Sequence, residues 1–313
     1  MSWAIVRIVS GLLLLTIAFL LCLVLSLPWF VGPAVVLVGA VLRHRVDAVH
    51  LPRRRFAVSW DVAVAAALGM VLVAPIVVSA FRMAPGDVPP GFFNVDTPYA
   101  LEQVHSLTEA TSYPPGSLSN LGGGRSYHFA TMGMAALLSR TTALRPHQAL
   151  FGIVLPVLAL ATVASAFAAA RAVAPALPAS LSVPLLLVAI PSFWYSFSDV
   201  AGPMVWEAIA TRQLAPIADL TTNYELWGPA SIVAQNVGAH MLVLASLAAV
   251  VAAPARGWSL PVFLIGTGIL IKVSTGVALV ACVLLVQAWH AITTRQLRAI
   301  VPALAVAAVF VST

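Results

Sequence analysis

The sequence predicts an all-α fold, a polytopic transmembrane bundle of roughly nine helices with an extracytoplasmic loop that carries short amphipathic helices. Three observations predict it. Hydrophobic residues make up 61% of the 313 positions and charged residues only 8%, where a soluble domain carries roughly a quarter charged residues. Several apolar runs reach the ~20 residues needed to cross a hydrocarbon core, and in lipid such runs must be helices because helices satisfy their own backbone groups. The basic residues are grouped: Arg43, Arg45, Arg53, Arg54 and Arg55 share one short loop. That grouping is a topology signal and not a nucleic-acid patch, despite the net charge of +6.

The first apolar run covers residues 4–27. It is too long for a signal peptide and lacks a small-x-small cleavage site, so it reads as a retained helix. SLPWFVGP breaks it, and residues 29–42 return. The arginine-rich loop RHRVDAVHLPRRR follows, which places that loop and the N-terminus in the cytoplasm. Residues 1–58 thus form an N-terminal hairpin with its basic loop, and 59–313 a larger transmembrane domain that opens with a crossing over 59–81. The longest polar stretch, 82–128, then lies outside the cytoplasm and is too long to be a passive connection. Within it, PYALEQVHSLTEA sets Leu101, Val104 and Leu107 on one side and Glu102, His105 and Glu109 on another. That is a short amphipathic helix, expected to lie along the membrane surface.

Residues 129–139 are apolar but too short to span alone, and Arg140 and Arg145 follow. If this segment does not fully cross, both polar loops fall outside, while Arg171, Arg256, Arg295 and Arg298 fall inside. That arrangement fits the arginines best. Spans are expected over 148–170, over 180–197 with its interfacial aromatic end FWYSF, and over 229–253, with a second polar loop from 199 to 228. Residues 258–290 are too long for one crossing and carry the chain's single lysine, Lys272, at their middle. They are expected to be two short helices or a broken one. A last span begins at 299, and the end AVAAVFVST, inside an apolar run, leads to the expectation that the chain is C-terminally truncated.

Candidate chemistry is sparse. Asp96, in FFNVDTPYALEQVH, is a helix-start residue or a general base at the bilayer surface. Tyr127 and His128 open the next apolar segment after LGGGRS, whose glycines read more simply as a turn than as a phosphate loop. Asp199 follows the aromatic cluster and is otherwise an ordinary loop acid. His240 stands near Gln235 and Asn236 at the start of a span, where polar groups face the bundle interior, lining a site or bonding a neighbouring helix. Lys272 would cost ~2.5–3.5 kcal/mol at a helix centre, and less at a junction of two short helices. With Ser274, Thr275 and Gly276 beside it, it suits an anionic lipid head group such as phosphate. Cys22 and Cys282 both lie in apolar runs and read as packing residues. No zinc-protease, redox-dithiol, nucleophile-elbow or dinucleotide motif occurs in a credible context.

VDTPYALEQVHSL, YHFATMGMAALLSR, IPSFWYSFSD, WGPASIVAQNVGAH and GTGILIKVSTGVAL, in that order, resemble the GT-C superfamily of integral-membrane glycosyltransferases. The likeness covers about residues 59–290 and is to a bacterial, actinobacterial-type branch, in keeping with a chain rich in Arg, Ala and Val. Each motif is loose and the order carries the resemblance. It implies a sugar moved from a polyprenyl-phosphate donor to an envelope acceptor at the outer face of the cytoplasmic membrane. It implies Asp96 as the catalytic acid of the first large outer loop, Asp199 as a second acid, and Lys272 as the cation for the donor phosphate. Glu102, His105, Tyr127, His128 and His240 would line the cavity. Some members add a divalent metal ion, but this loop carries one Asp where many relatives have an acidic pair, so the resemblance leaves metal dependence open. The main loop here follows the third crossing rather than the first, which an extra N-terminal hairpin explains. Two competing readings use the same residues: a transporter or flippase for a lipid-linked saccharide, and a non-catalytic membrane subunit of envelope assembly. The partners expected are the lipid-linked sugar and the bilayer, with no nucleic acid.

Overall fold

A computed structural model describes residues 2–48, 60–70, 96–113, 129–188, 234–271, 273–294 and 301–312. Among these residues the chain is all-helical, with no strand. The N-terminal hairpin is α1 (Ser2–Val24) and α2 (Val31–Ala48). The corner between them holds Ser26 at φ 52°, and the Gly32 amide donates to Cys22 Sγ at 3.1 Å. Then follow α3 (Trp60–Met70), α4 (Asp96–Glu109) and α5 (Phe129–Thr142). A π-helical turn, Gln148–Val154, runs directly into α6 (Leu155–Val173). Beyond it are α7 (Ala179–Val188), α8 (Ala234–Arg256) and α9 (Ser259–Gly266). A 3-10 turn (Thr267–Leu270), α10 (Val273–Thr294) and α11 (Val301–Ser312) complete the described elements.

Two helical stretches are long and apolar enough to cross a membrane, Ala4–Val24 and Gln148–Val173. Shorter apolar helices cover Val31–Arg43, Trp60–Met70, Gly238–Pro254, Ser259–Leu270 and Thr275–Trp289. Their outward faces are apolar too. Val35, Leu37, Val38, Val41 and Leu42 of α2 and Leu285, Val286, Trp289 and Ile292 of α10 are all exposed. A water-soluble monomer rarely presents apolar surface on this scale.

The interior is built on the pairing of α6 with α8, the most extensive helix contact. Leu158 near the start of α6 meets Gly238 near the start of α8, and the contact continues along both, so the two helices run parallel. Ala159, Ala166, Ala169 and Ala170 of α6 and Ala239, Ala245, Ala249 and Ala253 of α8 are buried. Small residues let helix backbones approach where no hydrophobic drive separates protein from lipid. α1 packs on α5, α6 and α8, and its Leu13, Phe19 and Leu23 belong to the same core. The N-terminal hairpin thus shares its core with helices of the 59–313 stretch. A second, smaller core joins Ile265 of α9, Val280 and Val283 of α10 and Val306 of α11.

At one end of the bundle, Asp61 at the start of α3 caps α7. The Ala179 amide donates to its Oδ2 (2.7 Å), and the Ser180 amide (2.9 Å) and hydroxyl (2.7 Å) donate to Oδ1. A carboxylate is the preferred partner for the free N–H groups of a helix start. This contact places the beginning of α3 beside the α6–α7 turn, just past Arg171.

α4 forms where the amphipathic pattern predicts, but its stripe faces protein. Ala100, Val104 and Leu107 are buried, and α5 is its main partner. The apolar side expected to rest on the membrane surface is thus occupied by α5. Arg140, in the last turn of α5, fixes the other end of α4. Its Nε donates to the Thr108 carbonyl at 2.6 Å and a terminal nitrogen donates to the Ala110 carbonyl. A cation on carbonyls that a helix end leaves unpaired is favourable on both hydrogen-bonding and dipole grounds. The guanidinium also lies 5.6 Å from the ring centre of Phe19 and 5.9 Å from that of Trp29, a cation–π bed supplied by the N-terminal hairpin.

Candidate functional site

The long apolar run 258–290 is interrupted where the sequence places its lysine. α9 narrows into the 3-10 turn, Ile271 donates its amide to the Gly268 carbonyl at 3.1 Å, and α10 starts at Val273. In an unbroken helix, residues 269 and 276 would be about 10 Å apart along the axis. Here they touch. A Cβ placed on Gly276 would lie 2.5 Å from the Ile269 nitrogen and 2.9 Å from the Gly268 carbonyl carbon. α10 therefore packs back on the 3-10 turn instead of prolonging it, and only glycine at 276 permits that approach. Lys272 itself lies outside the described residues, and its described neighbours bracket this reversal.

The junction is held in the middle of the bundle. Ile271 is buried, and a Cβ on Gly238 would come within 3.1 Å of Ile271 Cγ2, 2.9 Å of Thr131 Oγ1 and 4.0 Å of Leu158 Cδ1. Thus the first turns of α5 and α8 and the middle of the Gln148–Val173 helix converge on the break. One turn further along α8, Leu242 approaches Gly268 at 3.0 Å from the position a Cβ would take. A broken helix leaves N–H and C=O groups without intrahelical partners, and such groups persist at membrane depth only inside protein or at a cavity. Half-helix ends meeting at the middle of a bundle are where membrane proteins hold ions and charged substrates.

The other sequence candidates are placed unevenly. Asp96 is the first residue of α4, as a helix-start reading expects. Glu102 is half-buried and His105 exposed on the outer side of that helix. His240 is buried in α8, but two residues beyond Gly238 it falls on a different face of the helix from the one that meets the junction. Tyr127, His128 and Asp199 lie outside the described residues, although α5 begins one residue after His128. Among the described residues, no group of three or more His, Cys, Asp or Glu side chains could hold a metal ion. Cys22 and Cys282 are both free, the first buried and the second exposed.

Sequence reasoning missed Gly238 and Thr131 at the junction and Gln103 on α4. Gly238 was concealed inside a motif read for its polar members. Gln103 was concealed by the helical phase: the buried stripe runs 100, 103, 104, 107, and Ala100 is too small to have marked it. No protein-family model, no curated protein and no solved structure matches this chain.

Proposed function

We propose that this protein is a membrane glycosyltransferase that takes a sugar from a polyprenyl-phosphate donor on the outer face of the bacterial cytoplasmic membrane. The observation that carries the reading is the broken helix between Leu270 and Val273, packed back on itself against α5, α6 and α8. The ordered motifs of the sequence supply the family resemblance. The end-to-end contacts support an outward-facing site; about nine crossings is the count from apolar runs in the sequence. Asp61 joins the segment after the arginine-rich loop to the turn beyond Arg171, so both basic stretches share one side. Arg140 joins the end of α4, in the long polar loop, to the corner of the N-terminal hairpin, so α5 starts and ends without crossing.

In this reading Lys272 faces the donor phosphate. The leaving group is a lipid phosphate, so negative charge grows on its oxygen in the transition state. A cation already fixed there stabilises the transition state more than the ground state. Asp96 accepts the proton of the acceptor hydroxyl as that oxygen attacks the anomeric carbon and the bond to phosphate breaks. One direct displacement inverts the anomeric centre. Asp199 is the second acid of the outer side.

The test is binding and turnover of a polyprenyl-phosphate monosaccharide by the purified chain. Lys272→Ala should weaken donor binding at least tenfold, and Asp96→Asn should bind donor normally but not transfer. Unchanged donor binding in Lys272→Ala removes the reading. A transporter of lipid-linked saccharides is the second reading, favoured by the same broken helix. It needs no base, so Asp96→Asn would leave its transport intact.

A further inference from the structure

Gln103 is 92% buried, since only 8% of its surface is exposed, and neither its Nε2 nor its Oε1 has a hydrogen-bond partner among the described residues. This is unusual company for the carboxamide. Its helical neighbours on the buried side of α4 are Ala100, Val104 and Leu107. Other polar side chains of this helix are provided for: the Thr108 hydroxyl donates to the Val104 carbonyl at 2.7 Å, and His105 and Glu109 reach solvent. A buried amide with a donor group and an acceptor both idle costs free energy that an apolar residue of the same size would not. Such a group calls for an explanation, and a bound polar ligand is one.

Its place on α4 indicates what that is. Positions 96 and 103 are seven residues apart, so they fall on the same face of the helix, about 10 Å apart along its axis. Position 96, where the proposed base stands, therefore lies about two turns before Gln103 on α4. α4 is held in this register by α5, which packs along it and whose Arg140 binds its C-terminal carbonyls. A carboxamide offers two donors and one acceptor oxygen with two lone pairs and carries no charge. That is a poor partner for phosphate and a good one for neighbouring sugar hydroxyls, each both donor and acceptor.

We infer that Gln103 is a specificity-determining residue that binds saccharide hydroxyls alongside position 96. The inference rests on the transferase reading, and it replaces Glu102 and His105 by Gln103 as the polar contact that α4 contributes. Sites that hydrogen-bond a substrate hydroxyl reject analogues lacking it, because the site's buried polar groups are then left unpaired.

The experiment uses the whole chain in detergent, with melting temperature and ligand titration as readouts. Probes are a polyprenyl-phosphate hexose, the sugar-free polyprenyl phosphate, and methyl glycosides as mimics of the acceptor. Variants are Gln103→Met, which keeps the volume and loses the amide, and Gln103→Asn, which keeps the amide but draws it back. Gln103→Met should melt at or above the wild type without ligand. It should lose about tenfold in affinity for the hexose-bearing lipid while binding the sugar-free lipid as before; Asn should fall between. Loss confined to the methyl glycosides would support the inference and place Gln103 at the acceptor sugar. Gln103→Met that melts lower yet still distinguishes sugar-bearing from sugar-free lipid would overturn it, leaving Gln103 a packing residue. If Gln103→Met does not fold, Gln103→Asn decides: unchanged discrimination between the two lipids overturns the inference. Wild type that binds none of the probes overturns the transferase reading, and the saccharide role of Gln103 falls with it.

Discussion

The α6–α8 pair and the α9–α10 hairpin both depend on small residues at close backbone contacts, but they use that closeness for opposite ends. α6 and α8 each run as one helix, so the small residues buried along them only have to pack tightly. The hairpin spends its glycines on reversing the chain at the centre of the bundle, where the broken ladder frees polar backbone groups. The difference teaches that an apolar run of excess length is not simply a longer span. Where it contains a lone cation flanked by glycine, the break is the feature with chemistry.

The contrast can be broken most forcefully at Gly276. Gly276→Ala puts a methyl group into the backbone of Gly268 and Ile269, which cannot step aside as a side chain can. The expected cost is about 3 kcal/mol, seen as a lowered melting temperature, with donor binding lost together with the hairpin. A variant that melts and binds like wild type would mean that the reversal is not the native geometry. Next in size is Arg140→Met, which removes two charge-assisted hydrogen bonds and the contact with Phe19 and Trp29. About 2 kcal/mol should be lost, and hydrogen exchange should quicken in α4 before any other helix. Asp61→Ala removes the α7 cap for about 1 kcal/mol, with faster exchange at the Ala179 and Ser180 amides.

The smallest effects should come from the α6–α8 side. Ser165 of α6 and Ser246 of α8 are fully buried, and neither hydroxyl has a hydrogen-bond partner among the described residues, in contrast to Thr162, which donates to the Leu158 carbonyl. Ser246→Ala should be neutral or raise stability by ~0.5–1 kcal/mol, because it deletes a polar group without partners. A clear loss of stability or of turnover would show that this interface is not the inert half of the comparison.

Several of these features were legible in the sequence and others were not, for physical reasons. The break at Lys272 could be read because ~30 Å of hydrocarbon sets an upper length for a helix, and 258–290 exceeds it. α4 could be read from its 3.6-residue period, though not what its apolar side meets: a stripe of Val and Leu looks the same against lipid as against α5. Gly238 was invisible because its role is to be absent, making room for Thr131 and Ile271 from segments over a hundred and over thirty residues away. The burial of Gln103 depended on a phase shift of one residue, which the three-residue spacing of Leu101, Val104 and Leu107 cannot resolve. His240 shows the converse: its motif made it a candidate to line a site, while the turn of the helix sets it on a different face from Gly238.

The bed under Arg140 has a practical consequence for anyone wishing to shorten this protein. The two aromatic rings come from the first thirty residues, and the guanidinium from the middle of the chain. A truncation that starts at residue 59 would look natural in the sequence, beyond the basic loop and in front of every residue assigned a chemical task. It would also strip α1 from α5, α6 and α8 and leave the clamp on α4 without its support. Position 96 and Gln103 both ride on that helix. The N-terminal hairpin is therefore part of the tolerance of the site, and swapping it for another membrane anchor should be judged by where α4 comes to rest.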